Sequence, residues 1–307
     1  MKKKLAILLS IVGVGSLLVA CGSNKEATEK NNQSKIVKTE MGDVEVPVKP
    51  KKILVNWYLG DVASLGVTPV GYSGWAQEAM PFYETIKEVP AIEKWEKEEL
   101  LSYEPDLIIT YSKEDFEKFS KIAPVVVVSE ATSSEDRLTF LGEVLGKEKE
   151  AKALNETFET KLAGAKEMFA GDEFKDKTFS LFEDWGSGSY GVYYETGSRG
   201  GKLLYDYLGL KKPAKLEELV KSSGEGRGSL SYEVAADYFG DYILWFLQPD
   251  KESEFEQTAI WKTIPAVEKG NVTKIPGNLN GLFYYSDVAS LTGQLDYFVD
   301  HLKVGTK

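Results

Sequence analysis

Two α/β lobes joined by one long α-helix are the architecture that three features of the sequence predict. About 270 residues follow a polar N-terminal stretch, more than a single hydrophobic core usually serves. Short β-branched or aromatic runs alternate with helical periods on both sides of the midpoint. Between the halves lies a segment whose apolar residues recur at threes and fours. In order, the strand-like runs are ILVNW (53–57), LIITY (107–111), VVVV (125–128), FSLFEDW (179–185), YGVYY (190–194), YILWFL (242–247) and VTKI (272–275). The periodic segment carries Ala151, Leu154, Phe158, Leu162, Ala165 and Phe169. A helix of about 20 residues there spans roughly 30 Å and would join the lobes as a stiff strut, although the pattern also fits a helix inside one domain. The predicted divisions are an N-terminal lobe over 36–147, the linking helix over 148–171 and a C-terminal lobe over 172–307.

The first residues give an address. MKKKLAILLSIVGVGSLLVACG has three lysines, an uncharged apolar run and small residues before Cys21, the layout of a secretory signal over 1–20. The segment LVAC resembles a bacterial lipobox, which implies cleavage before Cys21 and a diacylglyceryl thioether on its sulfur. An ordinary signal peptide with a stray cysteine is the alternative. Cys21 is the only cysteine, so a disulfide within the chain is excluded and a catalytic thiol is disfavoured. Residues 21–35 then read as the lipidated cysteine and a flexible tether, because GSNKEATEKNNQSK is too polar to bury a core. Loss of Lys2, Lys3 and Lys4 with the signal takes the formal charge from −11 to −14. An acidic chain with three arginines argues against nucleic acid or an anionic membrane surface as partner.

A repeat across the halves supports two lobes. EELLSYEPDLIITY (98–111) and EVAADYFGDYILWF (233–246) align without a gap, pairing Glu98 with Glu233, Tyr103 with Tyr238, Asp106 with Asp241 and Ile108 with Ile243. Each reads as a short helix entered at a glutamate, a turn, an aspartate and a buried strand. Pro105 is replaced by Gly240, yet both break a helix. The glutamates sit at matching places in the two lobes; complementing helix N-terminal dipoles explains them equally well.

In YYETGSRGGKLLYDYLGLKKP (193–213) one of the three arginines, Arg199, precedes two glycines and an apolar stripe of Leu203, Leu204, Tyr207 and Leu208. One reading is a plain helix start capped by Thr196 or Ser198. The other makes Arg199 a ligand contact. A guanidinium at a helix N-terminus gains nothing from the dipole, whereas its planar fork of donors suits anionic oxygens.

Taken together, the lipobox, the long central helix, EELLSYEPDLIIT, SLSYEVAADYFGDYILW and SRGGKLLYDYLGL resemble the class III substrate-binding lipoproteins of bacterial ABC importers, and among them the ferric hydroxamate siderophore binders of Gram-positive bacteria. The resemblance covers the chain from about residue 36 to its end. It implies a ligand cleft between the lobes, Arg199 against the iron-bound oxygens, and Glu98 and Glu233 docking on a permease dimer with its ATPase subunits. It further implies a monomer held by lipid on the extracellular face of the cytoplasmic membrane. Iron would be held by the siderophore with no direct protein ligand and no intrinsic cofactor. Some relatives carry Trp two residues before that arginine; here position 197 is Gly, so the apolar wall must come from elsewhere.

Aromatic residues near strand ends are the candidates for that wall: Trp57, Tyr58, Trp75, Tyr111, Trp185, Tyr193, Trp245, Tyr284 and Tyr285, with Trp75, Trp185 and Tyr284 foremost. Each can equally be core, since 12% of the chain is aromatic. His301 is the sole histidine, which disfavours a manganese or zinc importer, and Met41, Met80 and Met168 offer no convincing heme ligands. A tris-catecholate complex carries about three negative charges and would call for several basic residues in the cleft. With Arg137 and Arg227 the only other arginines, and Lys113 or Lys202 as possible additions, a neutral or cationic ferric hydroxamate such as ferrichrome or ferrioxamine fits better. Heme, catecholate and carboxylate siderophores on the same fold remain alternatives. A secreted serine esterase built on GSGSYG (186–191) is a remote one, because a nucleophile elbow is not expected between two β-rich runs.

Overall fold

The computed structural model describes residues 33–186 and 191–302. The signal, Cys21 and nearly all of the expected tether lie outside these residues. Ser34–Thr39 (β1) and Gly42–Pro47 (β2) pair antiparallel, with Gly42 at φ +100° in the turn and Val37, Val44 and Val46 facing the core. Among the described residues the first strand thus starts at Ser34, two residues ahead of position 36. Strand pairing satisfies the backbone there, which composition alone does not reveal.

A four-stranded sheet follows: Ile53–Asn56 (β3), Gly71–Ser73 (β4), Leu107–Thr110 (β5) and Val125–Val127 (β6), in the order β4-β3-β5-β6 and all parallel. β3, β5 and β6 are largely apolar and almost fully buried, as strands of a parallel sheet covered on both faces are. The second sheet has five strands, Phe179–Asp184 (β7), Gly191–Glu195 (β8), Arg227–Ser231 (β9), Tyr242–Leu247 (β10) and Val272–Ile275 (β11), in the order β11-β10-β7-β8-β9. β11, β10 and β7 run parallel, while β7–β8 and β8–β9 pair antiparallel. The strands flanking the Gly-Ser segment therefore pair as antiparallel neighbours, with no crossover between them; residues 187–190 themselves lie outside the described residues.

The periodic segment forms one helix, Glu148–Phe169, of 22 residues, about 33 Å long. Ala151, Phe158, Ala165 and Phe169 are its buried stripe, and it packs against Ser134–Leu145 and the final helix, Val288–His301. Phe158 meets Tyr207 edge-on at 5.2 Å. The final helix also packs on Leu59–Ser64, so the end of the chain returns to the first sheet's helices.

The half-repeats fold alike. Lys97–Ser102 leads into β5, and Tyr232–Ala235 with the 3-10 turn Ala236–Tyr238 leads into β10. The aligned aspartates do the same work. Asp106 accepts the N–H groups of Lys51 and Lys52 at 2.8 and 2.9 Å, ahead of β3, and Asp241 accepts the N–H and hydroxyl of Thr178 at 3.0 Å, ahead of β7. The change from Pro105 to Gly240 has a steric reason: a Cβ at 240 would lie 2.6 Å from the Thr178 carbonyl oxygen.

Candidate functional site

Residues just past the carboxyl ends of strands build one wall. Trp57 follows β3 and takes φ +75°, a left-handed conformation costly for an aromatic residue. Trp75 follows β4, and both tryptophans stay about 40% exposed. Their rings lie 6.1 and 5.0 Å from that of Tyr284. Tyr285 fixes the corner: its hydroxyl accepts the Trp75 N–H at 3.3 Å and donates to the Trp75 carbonyl at 3.1 Å. A side chain at Gly74, which sits at φ +140°, would strike that hydroxyl.

The second sheet supplies the other wall. Glu183 on β7 is paired in register with Tyr193 on β8, and Glu195 on β8 with Arg227 on β9. Glu183 is fully buried and accepts from Gln248 Nε2 at 2.5 Å and from Arg227 at 3.1 Å; the Arg199 guanidinium stands 3.9 Å from its other side. Glu195 accepts from Arg227 Nε and from the Ser198 hydroxyl, and burial pushes its carboxyl up from the usual carboxylate range. Arg227 lies over the Tyr193 ring at 4.3 Å and near Trp185 at 6.0 Å, and the Trp185 and Tyr193 rings are 5.4 Å apart. Arg199, at φ +50°, lies over the Tyr284 ring at 5.0 Å and so ties this wall to the first.

Next to Trp57 and Tyr284 a cavity of about 220 Å³ opens, lined among others by these two rings, Ser198, Lys202, Arg137 and Asp61; Trp75, Trp185, Tyr193, Arg199 and Arg227 lie outside its lining. Arg137 donates to Asp61 at 2.9 Å and to the Ser286 carbonyl at 3.1 Å, and lies 4.9 Å over the Tyr58 ring. Burial pushes the Asp61 carboxyl up to about 7 against the pull of Arg137.

Of the predicted site residues, the structure brings Arg199, Trp57, Trp75 and Tyr284 together, and Trp185 with Tyr193. Of these only Trp57 and Tyr284 line the cavity itself, and Tyr111 is exposed just past β5 with no ring contact to the others. Trp245 is corrected to core: it is fully buried at mid-strand in β10, its indole N–H donating to Glu256 at 2.9 Å. Tyr58 and Tyr285 are buried supports of the cleft, and the Tyr58 hydroxyl donates to the Val128 carbonyl. Thr196 and Ser198 do not cap a helix, because their hydroxyls go to Gly226 O and Glu195. The stripe beyond them winds as a π-helical turn, Leu203–Tyr207, with Leu203, Leu204 and Tyr205 buried. Lys202 lines the cavity, whereas Lys113 pairs with Glu40. Glu98 and Glu233 are exposed in the first turns of their helices, a place that both readings of them require. His301 is exposed and stacks on Tyr297.

Sequence reasoning overlooked Arg137 and Arg227 as parts of the site. The available signal was scarcity, since of the three arginines of a 37-cation chain one lines the cavity and the other two meet at Glu183 beside the Tyr284 wall. Their charge does not stand free, because Asp61, Glu183 and Glu195 are buried beside them.

A model of the family described as Periplasmic binding protein matches residues 53–279. The chain belongs to this family. The iron(3+)-hydroxamate-binding protein YxeB of Bacillus subtilis (strain 168) is 32% identical over 306 residues, covering 97% of this chain and 94% of that protein. The iron(3+)-hydroxamate-binding protein FhuD of the same organism is 31% identical over 323 residues, covering 98% of each. Among solved structures, the FhuD protein from S. pseudintermedius aligns with a TM-score of 0.72 at 25% identity, over 88% of this chain and 98% of that one. Family membership makes this chain a substrate-binding protein of an importer, not an enzyme. Among the described residues no helix is long and apolar enough to cross a membrane.

Proposed function

We propose that this protein captures a ferric hydroxamate siderophore between its two lobes and delivers it to an ABC permease. The observation that carries the reading is Arg199, a guanidinium in the cleft set over Tyr284 and flanked by exposed tryptophans. Anionic oxygens already bound to iron match such a fork, and the rings match the methylenes and amides of the chelator. Trp57, Trp75, Tyr284, Trp185 and Tyr193 are the aromatic wall in this reading, with Arg227 added as a second cation; Tyr111 would serve only at the rim. The iron(3+)-hydroxamate-binding names of the curated relatives support the ligand class.

Electrostatics favours the same class. Three arginines matched by three buried carboxylates leave little net positive charge for a trianionic catecholate complex. The permease contacts are assigned to Glu98 and Glu233, and the Ser231 hydroxyl, which holds the Glu233 carboxyl below its usual range, keeps that charge in place. Cys21 is assigned as the lipidated residue that holds a monomer at the extracellular face of the membrane. Saturable one-to-one binding of a ferric trihydroxamate by the mature protein, with the siderophore recovered intact, is the outcome this function requires.

A further inference from the structure

We propose that the floor of the cleft is a separate anionic subsite, in which Asp61 and Glu130 receive a primary ammonium arm of the bound molecule. The proposal rests on the siderophore reading of the cleft and deepens it. Its starting point is an unmatched acceptor. Asp61 is 2% exposed and lines the cavity, and its Oδ2 accepts from Arg137 at 2.9 Å, while Oδ1 has no hydrogen-bond partner. A buried carboxylate oxygen left in that state is costly, and a donor arriving from the cavity relieves the cost.

The neighbours indicate the sign of that donor. Asp287 also lines the cavity, but both its oxygens are engaged by Ser290, through the N–H at 3.0 Å and the hydroxyl at 2.7 Å, where it caps the final helix. Glu130 lines the cavity and is exposed, so its charge faces the entrance. The cations of the cavity are Arg137 and Lys202. Arg137 is engaged by Asp61, by the Ser286 carbonyl and by the Tyr58 ring. Lys202 is held below the usual lysine range, first by burial and then by Arg137. Three carboxylates against two cations favour a positively charged donor over an anion. No group of three His, Cys, Asp or Glu among the described residues is arranged to hold a metal ion, so an organic cation is the fitting occupant. An aliphatic arm of a few carbons suits a 220 Å³ space walled by Trp57 and Tyr284.

Arg137 and Asp287 act on Asp61, Tyr58 and Lys202 feel its charge, and Glu130 shares the cavity with it. Because burial pushes Asp61 up to about 7, its carboxyl ionises fully only above neutrality, and preference for an ammonium arm should grow between pH 5.5 and 8.

The test compares, by tryptophan quenching, the ferric complex of a linear trihydroxamate bearing a free primary amine with its N-acetylated counterpart, and titrates n-pentylammonium alone. The native protein should bind the amine complex about tenfold more tightly than the acetylated one at pH 8. Asp61→Asn should bring that ratio close to one. Glu130→Gln, at an exposed position that leaves the fold undisturbed, should lower it about threefold. Pentylammonium alone should saturate in the millimolar range and lose saturation in Asp61→Asn. Equal affinity for the two iron complexes in the native protein would overturn the subsite. If neither iron complex binds, the siderophore reading falls, and the pentylammonium titration decides the subsite by itself: saturation sensitive to Asp61 and Glu130 upholds it, and its absence rejects it.

Discussion

Arg199 and Arg227 converge on a single buried carboxylate: the Glu183 oxygens lie 3.9 Å from one guanidinium and 3.1 Å from the other. A carboxylate with no solvent exposure is costly unless matched, and two arginines with Gln248 supply the match. In return Glu183 fixes Arg227 against Trp185 and Tyr193 and Arg199 over Tyr284 of the facing wall. Positioning of this kind reduces what ligand binding would otherwise cost in side-chain ordering.

Replacement of Arg199 should therefore separate binding from stability. Arg199→Ala leaves Glu183 with Arg227 and Gln248, so thermal unfolding should shift by no more than about 2 °C, while affinity for a ferric hydroxamate should fall by about 1.5–3 kcal/mol. Arg199→Lys should recover only part, because an ammonium lacks the planar fork. Titration and calorimetry on the three proteins check this; early unfolding with normal binding in the alanine variant would assign Arg199 to the fold instead.

Glu183→Gln should behave differently. It removes the shared counter-charge, so both binding and stability should suffer, the latter by about 1–3 kcal/mol. Denaturant unfolding beside the same titration would reveal it, and a loss confined to binding would contradict the positioning role.

Much of this architecture is legible in the sequence because burial on both faces leaves largely apolar strands: β3, β5, β6 and β10 read directly as such runs, and β7 is read from its Phe179, Leu181 and Phe182 despite Glu183 and Asp184. β9 escapes because Arg227–Ser231 is rich in Gly and Ser and its exposure alternates, and β4 because three residues make no pattern. The aromatic residues divide for a positional reason. Trp57, Trp75 and Trp185 follow the carboxyl ends of β3, β4 and β7 and stay exposed, whereas Trp245 sits inside a central strand flanked by β7 and β11 and is fully buried. The Arg227–Glu183–Arg199 cluster was not legible, because its members come from three segments that only strand register brings together.

Acidity should stabilise the fold over part of the range. Burial raises the carboxyls of Asp61, Asp287, Asp184 and Glu195 above their unfolded values, so the folded state binds more protons and stability is lost as pH rises through the folded values. With Asp61 at about 7, the melting temperature should increase as pH is lowered from 8 to about 5. Asp61 alone would contribute roughly 2–4 kcal/mol to that trend. Calorimetry across this window is the check, and a flat or falling profile would contradict the burial of these groups.

Docking should be separable from capture. The double replacement Glu98→Ala, Glu233→Ala should leave siderophore affinity within about twofold, while iron uptake by cells falls strongly; single replacements should be milder. Radiolabelled iron uptake at matched surface abundance measures it. Unchanged uptake in the double variant would return both residues to complementing their helix dipoles.

The central claim is capture of an iron-loaded hydroxamate in the cleft, and tryptophan quenching of residues 22–307 tests it most directly. Trp57, Trp75 and Trp185 stand at the site, while Trp245 and Trp261 are core and Trp95 packs on Phe119. A ferric trihydroxamate should quench saturably at one-to-one stoichiometry, its iron-free form should bind much more weakly, and replacing the three cleft tryptophans with Phe should remove most of the signal. Equal affinity for a ferric tris-catecholate would contradict the charge argument, and no saturation by any ferric siderophore would contradict the function itself.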